Sequence, residues 1–127
     1  MSYKILIVDD SKLARMSVAK VLSGLQPEWS RIEATNAEEA VAIVKAESPD
    51  IVLLDFNMPG RDGLALAADL KTINPRMPLA IISANIQDEI VARSHALGAA
   101  FLAKPLTERA LAGFLTAAQA RLSAAAQ

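Results

Sequence analysis

The stretch Ile51-Val52-Leu53-Leu54-Asp55-Phe56-Asn57-Met58-Pro59-Gly60-Arg61-Asp62-Gly63 decides how the rest of the chain is to be understood. Four apolar residues, Ile51 to Leu54, form a run of strand length that stops on an acid, and the breaker-rich residues after it end the strand there. A strand that is apolar on both faces belongs in a sheet covered on both sides, as parallel sheets are. In open α/β sheets, chemistry gathers just beyond the carboxyl ends of such strands. Asp55 occupies that position, so its role turns on what other strand ends bring to it.

Working outward, Lys4 to Val8 is a second apolar run, and it too ends on acids, Asp9 and Asp10. From Ser11 to about Leu25 the pattern is helical, with Leu13, Met16, Val21 and Leu25 on or near one stripe and Gly24 and Pro27 supplying the stop. Ile32 to Ala34 makes a short second strand. Asn36, with Glu39 three residues later, opens a helix whose Ala37, Ala40, Val41 and Val44 share a face, and Pro49 and Asp50 close it. Beyond the Asp55 strand, Leu64 to Ile73 is helical and ends before Pro75 and Pro78, because proline disfavours helical geometry in the residue before it. Leu79 to Ile82 is a fourth strand ending at Ser83, followed by a helix from Ile86 to Leu97 that Gly98 terminates. Phe101 to Ala103 is a fifth strand ending at Lys104-Pro105. Thr107 caps a last helix with Leu111, Phe114, Leu115, Ala118 and Leu122 on one face, and its end, Ser123 to Gln127, is expected to fray.

Five strands alternating with five helices predict a parallel sheet with helices on both faces, joined by right-handed crossovers. The 127 residues, 53% hydrophobic and 21% charged, suit one domain with a single core, spanning 1–127. A formal net charge of −1 without a long basic run argues against a nucleic-acid footprint or a membrane-surface patch. The absence of cysteine excludes disulfides and thiol chemistry. Ile5 to Val8 is too short for a signal sequence, and no apolar window has transmembrane length, so a cytoplasmic protein is expected.

Asp9, Asp10, Asp55, Ser83 and Lys104 all fall at carboxyl ends of parallel strands, hence on one edge of the sheet. Carboxylates gathered there repel one another unless a cation neutralises them. A hard divalent ion suits them, since Mg2+ takes oxygen ligands at about 2.0–2.1 Å and commonly keeps several waters. With a lysine and a hydroxyl on neighbouring strands, the edge has the groups that phosphoryl transfer requires: a nucleophilic carboxylate, cations to spread charge, and a donor to hold an oxygen.

Taken together, the motifs Val8-Asp9-Asp10-Ser11, Asp55 to Gly60 with Asp62-Gly63, Ser83-Ala84 and Lys104-Pro105 resemble the receiver domain of two-component response regulators, of the stand-alone kind typified by the chemotaxis receiver. The resemblance covers nearly the whole chain and implies a flavodoxin-like, doubly wound sheet of order 2-1-3-4-5. It implies that Asp55 accepts a phosphoryl group from the phosphohistidine of a sensor histidine kinase or phosphotransfer protein, or from a small donor such as acetyl phosphate. Asp10 and Asp55 would bind Mg2+ directly, Asp9 would help to hold it, and the backbone carbonyl of Asn57 would supply another oxygen. Lys104 would pair with the phosphate, Ser83 would swing its hydroxyl onto it, and Phe101 occupies the family's aromatic switch position. The Lys104–Pro105 bond is expected to be cis. A downstream protein would be engaged through the fourth helix, fifth strand and fifth helix, which makes the chain a signalling switch and not an enzyme in the ordinary sense. Ser83 stands where threonine is commoner, and Phe101 lacks a phenolic hydroxyl. Asn57 and Asn85 occupy the places that tune phosphoryl lifetime.

Two other readings compete. A haloacid-dehalogenase-type Mg2+-dependent phosphatase also uses a strand-end Asp, but it needs a second acid two residues on, where Asn57 stands, and its nucleophile belongs on the first strand. A pseudo-receiver acting as a phosphorylation-independent interaction module would tolerate an incomplete set of acids and lysine, and this set is complete. No Gly-rich loop follows Val8, which argues against a dinucleotide or flavin site. His95, mid-helix, receives no chemistry. Trp29 is expected to anchor its loop in the core.

Overall fold

The computed structural model describes residues 2–58 and 61–125, so Pro59 and Gly60 of the opening stretch, and the last two residues of the chain, lie outside the described residues. The element order is β1 (Lys4–Val8), α1 (Lys12–Leu25), β2 (Ser30–Ala34), α2 (Ala37–Glu47), β3 (Ile51–Asp55), β4 (Asn57–Met58), β5 (Arg61–Asp62), α3 (Gly63–Ile73), β6 (Leu79–Ser83), α4 (Asp88–Ala96), β7 (Ala100–Ala103) and α5 (Glu108–Ala125). The main sheet is parallel throughout, in the order β2-β1-β3-β6-β7, which is 2-1-3-4-5 when its own strands are counted in sequence.

Where a single core was expected, strand alternation builds two, one on each face of the sheet. Leu6, Val8, Val52, Leu54, Leu79 and Ile81 face one side, where Ala40 and Val44 of α2 and Ala67 and Leu70 of α3 cover them. Ile5, Ile7, Ile51, Leu53, Ala80 and Ile82 face the other, under Leu22 of α1 and Leu111, Leu115 and Ala118 of α5. The central strands are therefore apolar on both faces, as continuous apolar runs require. Trp29 is buried in the second core, edge-on to Tyr3 with ring centroids 5.2 Å apart.

Helix ends follow their capping residues. Asn36 Oδ1 accepts from the Glu39 amide at 2.8 Å, while the Glu39 carboxylate reaches past the cap to take the amide and hydroxyl of Thr35. Gly98 ends α4 with φ of 78°, its amide donating to His95 O and the next amide to Ser94 O, a Schellman closure that favours glycine. Thr107 Oγ1 accepts from the Ala110 amide at 3.1 Å and starts α5.

Several expectations are corrected. Leu13 and Met16 do not face the sheet: they are 74% and 57% exposed, and the inward stripe of α1 runs through Val18, Val21, Leu22 and Leu25 instead. β2 begins at Ser30, two residues early, because its parallel register pairs Ser30 with Lys4 along an edge where polar side chains reach water. α4 is shorter than its apolar pattern, leaving Ile86 outside it and 64% exposed. Residues expected to form a plain loop after Asp55 pair as a small antiparallel ladder, Asn57 with Asp62 and Met58 with Arg61. α5 is helical as far as Ala125, and Ala126 and Gln127 of the end expected to fray lie outside the described residues.

Candidate functional site

The alternation that builds the cores also assembles the site. Asp9 follows Ile7, Asp55 follows Leu53 and Lys104 follows Leu102, so all three continue side-chain columns of the face covered by α1 and α5. Their strand ends are tied together by backbone bonds: Asp9 N–H donates to Ala34 O at 3.1 Å, Phe56 N–H to Ile82 O at 2.9 Å and Lys104 N–H to Ser83 O at 2.9 Å. The Lys104–Pro105 peptide is cis, as expected.

Carboxylate oxygens of Asp9, Asp10 and Asp55 all lie within 4.8 Å of one another. Asp55 is buried, 5% exposed, and its Oδ1 has no hydrogen-bond partner. Lys104 Nζ stands 2.8 Å from that oxygen, an ion-pair contact outside hydrogen-bond geometry. Asp9 is likewise buried, with Oδ1 accepting from the Ser11 amide at 2.9 Å. Burial pushes the Asp9 carboxyl above its ordinary range and the charges of Asp55 and Asp10 add to this, against the opposing effects of the Ser11 hydrogen bond and Lys104. Three acids facing one lysine leave an excess of negative charge and a buried oxygen with unused acceptor capacity. A divalent cation preferring oxygen ligands fits that donor set.

Ser83 is fully buried at its strand end, but its hydroxyl accepts from the Asn85 amide at 2.9 Å, which turns it to its own loop. It continues the column of Ile81, on the opposite face of the sheet from Asp55. Phe101, paired in register with Ile81, is half-buried against that same core. Asn57 is exposed in β4. His95 is exposed on α4.

Two features of the site were given no role by the sequence reading, although Gly63 belongs to the Asp62-Gly63 motif. Arg15 of α1 donates from Nη1 to the Asp9 carbonyl at 2.7 Å and from Nε to Glu33 Oε1 at 2.8 Å. Gly63, at the start of α3, sits so close to Phe56 that a Cβ there would lie 2.8 Å from Phe56 Cα. A groove of about 520 Å3 reaches Asp55 and Lys104 from the side, lined by Ala14, Ser17, Val18, Val21, Pro105 and Leu106.

A parallel 2-1-3-4-5 sheet with clustered acids and a lysine at its carboxyl edge defines a class, the phosphorylation-switch domains. The chain belongs to the response regulator receiver domain family, which it matches over residues 5–116. It is 35% identical over 106 residues to sporulation initiation phosphotransferase F of Bacillus subtilis, covering 83% of this chain and 84% of that protein. To the positive alginate biosynthesis regulatory protein of Pseudomonas aeruginosa it is 39% identical over 111 residues, 85% of this chain but only 44% of the regulator. Among solved structures, a CheY-like receiver domain from Methanospirillum hungatei superposes with a TM-score of 0.86 at 23% identity, covering 97% of this chain and 98% of that one. Chemotaxis protein CheY4 of Vibrio cholerae does so with 0.82 at 24%, covering 93% and 99%. The chain is a two-component receiver domain, a family of signalling switches that interact with histidine kinases or phosphotransfer proteins.

Proposed function

We propose that Asp55 takes up the phosphoryl group and that residues 1–127 act as one cytoplasmic receiver domain. The observation that carries this is the buried Asp55 carboxylate, its Oδ1 paired with Lys104 Nζ at 2.8 Å and one of its oxygens within 4.8 Å of oxygens of the other two acids. The carboxylate attacks the phosphorus of a phosphohistidine, the P–N bond breaks, and the imidazole leaves as an acyl phosphate forms on Asp55. Lys104 follows the new charge and pairs with a phosphate oxygen. Asp9, Asp10, Asp55 and the Asn57 carbonyl would hold Mg2+, which supplies charge neutralisation at the moving group. Water later attacks the phosphorus, returning Asp55 as a carboxylate and releasing inorganic phosphate.

Ser83 and Phe101 supply the output. Transfer of the Ser83 hydroxyl from the Asn85 amide to a phosphate oxygen draws that strand end toward the charge and relaxes the space beside Phe101, which lies on the same face of the sheet. The ring moves inward, and the surface of α4, β7 and α5 changes its affinity for a downstream protein. Asn57 and Asn85, neutral amides beside the acceptor and the hydroxyl, are placed to set how water reaches the phosphorus.

Incubation with Mg2+ and acetyl phosphate is expected to add one phosphoryl group to the wild type and none to Asp55→Asn, as read by intact mass. Equal labelling of both proteins would remove Asp55 from the acceptor role. Chelation of Mg2+ is expected to stop labelling.

A further inference from the structure

The three acids are not held alike. Asp9 is tied through its amide to Ala34 O and through its Oδ1 to the Ser11 amide. Asp10 is exposed, and among the described residues no hydrogen bond or ion pair holds its carboxylate. Its direction is set by the backbone it leaves. The Asp9 carbonyl and the Asp10 amide share one rigid peptide plane, so whatever fixes that carbonyl also fixes the plane from which Asp10 projects.

Arg15 Nη1 donates to that carbonyl at 2.7 Å. The guanidinium is in turn aimed from β2, where Glu33 Oε1 accepts from Nε at 2.8 Å. The Arg15 side chain is only 11% exposed, whereas Glu33 is 50% exposed. One planar fork thus bridges the end of β1 and the neighbouring strand, a geometry a lysine cannot reproduce because its single ammonium has no second, rigidly spaced donor nitrogen.

We infer that Arg15, aimed by Glu33, is a positioning residue for the divalent cation: it locks the Asp9–Asp10 peptide so that Asp10 presents its carboxylate to the ion shared with Asp55. This rests on the metal site proposed above. A purely electrostatic role has the opposite sign, because a bare cation beside three acids competes with Mg2+ and its removal would tighten binding. Glu33 already balances the Arg15 charge, which leaves orientation as the contribution.

The test is Mg2+ binding to the 127-residue chain by calorimetry, with thermal unfolding in chelator as the control for folding. The wild type is expected to bind and Asp10→Asn to bind far more weakly. Arg15→Ala is expected to weaken binding about tenfold, the lower end for loss of a group that orients a metal ligand. Arg15→Lys should not restore it. Glu33→Gln is expected to weaken binding by less, and to add nothing in the Arg15→Ala background, since both act on one contact. Unchanged or tighter binding by Arg15→Ala, with a wild type that binds, overturns the inference alone. A wild type that binds no Mg2+ overturns the metal site and the inference with it. Should Arg15→Ala not fold, Glu33→Ala, which removes the acceptor that aims the guanidinium, decides, and an unchanged dissociation constant there counts against the proposal.

Discussion

At Gly63 a single methyl group would meet backbone that has nowhere to go. A Cβ there lies 2.8 Å from Phe56 Cα, 2.9 Å from Phe56 O and 3.2 Å from Phe56 C, and Phe56 directly follows the proposed acceptor. Relief therefore requires α3 to move away from the end of β3, or the end of β3 to move with Asp55. Gly63→Ala is expected to cost about 1–3 kcal/mol, as overpacking does, and to slow labelling by acetyl phosphate. Chemical denaturation and labelling rates check both, and a variant as stable and as fast as the wild type would mean the contact yields freely. No pattern in the sequence announces this constraint, because it joins a helix start to a strand end through space. The place of Asp55 at a strand end followed from the four apolar residues before it, and its proposed role only from the other strand ends that meet it. The orientation of Ser83 was not: a serine at a strand end accepts from its own turn or reaches across, and here the Asn85 amide two residues on takes the hydroxyl.

The capping of α2 shows how one element depends on pH. Hydrogen bonds from the amide and hydroxyl of Thr35 keep the Glu39 carboxyl below its ordinary value of 4.5. A carboxyl with a lowered folded value binds fewer protons in the folded than in the unfolded state, so its contribution is complete above 4.5 and is lost as pH falls through the folded value. The gap in Tm between wild type and Glu39→Ala is thus expected to be widest near neutrality and to close below that pH. Asn36→Ala offers the contrast: it removes the cap to the Glu39 amide, costs about 1 kcal/mol, and does so regardless of carboxyl titration. Circular dichroism melts across pH separate the two. The start of this helix was visible in Asn36 and Glu39, although the carboxylate reaches one residue beyond the expected box. The face of α1 was not, because Leu13 and Met16 look like core residues in isolation while the sheet receives Val18 and Leu22. Only the pairing of helix with sheet decides which stripe turns inward.

In the molecule as a whole, the parallel sheet was evident from strands too apolar to have an exposed face, and the convergence of Asp9, Asp10, Asp55 and Lys104 followed from their common place at strand ends. What stayed hidden joins residues far apart in sequence with no period between them, as Arg15 and Glu33 are. On the proposed reading, the converging acids also tie stability to the ion. Folding brings three carboxylates within 4.8 Å of one another and buries two of them, a repulsion the unfolded chain escapes. An ion that binds only this arrangement stabilises the fold by mass action, by about 2.7 kcal/mol at a hundredfold excess over its dissociation constant. Mg2+ is therefore expected to raise the Tm of the wild type by several degrees, progressively with concentration, and chelator to reverse the rise. Asp10→Asn changes both sides of the balance: with less repulsion it is expected to melt higher than the wild type in chelator, yet to gain little from Mg2+. The two melting curves should therefore converge or cross as the ion is added, and parallel shifts in both proteins would place the ion elsewhere than among these acids.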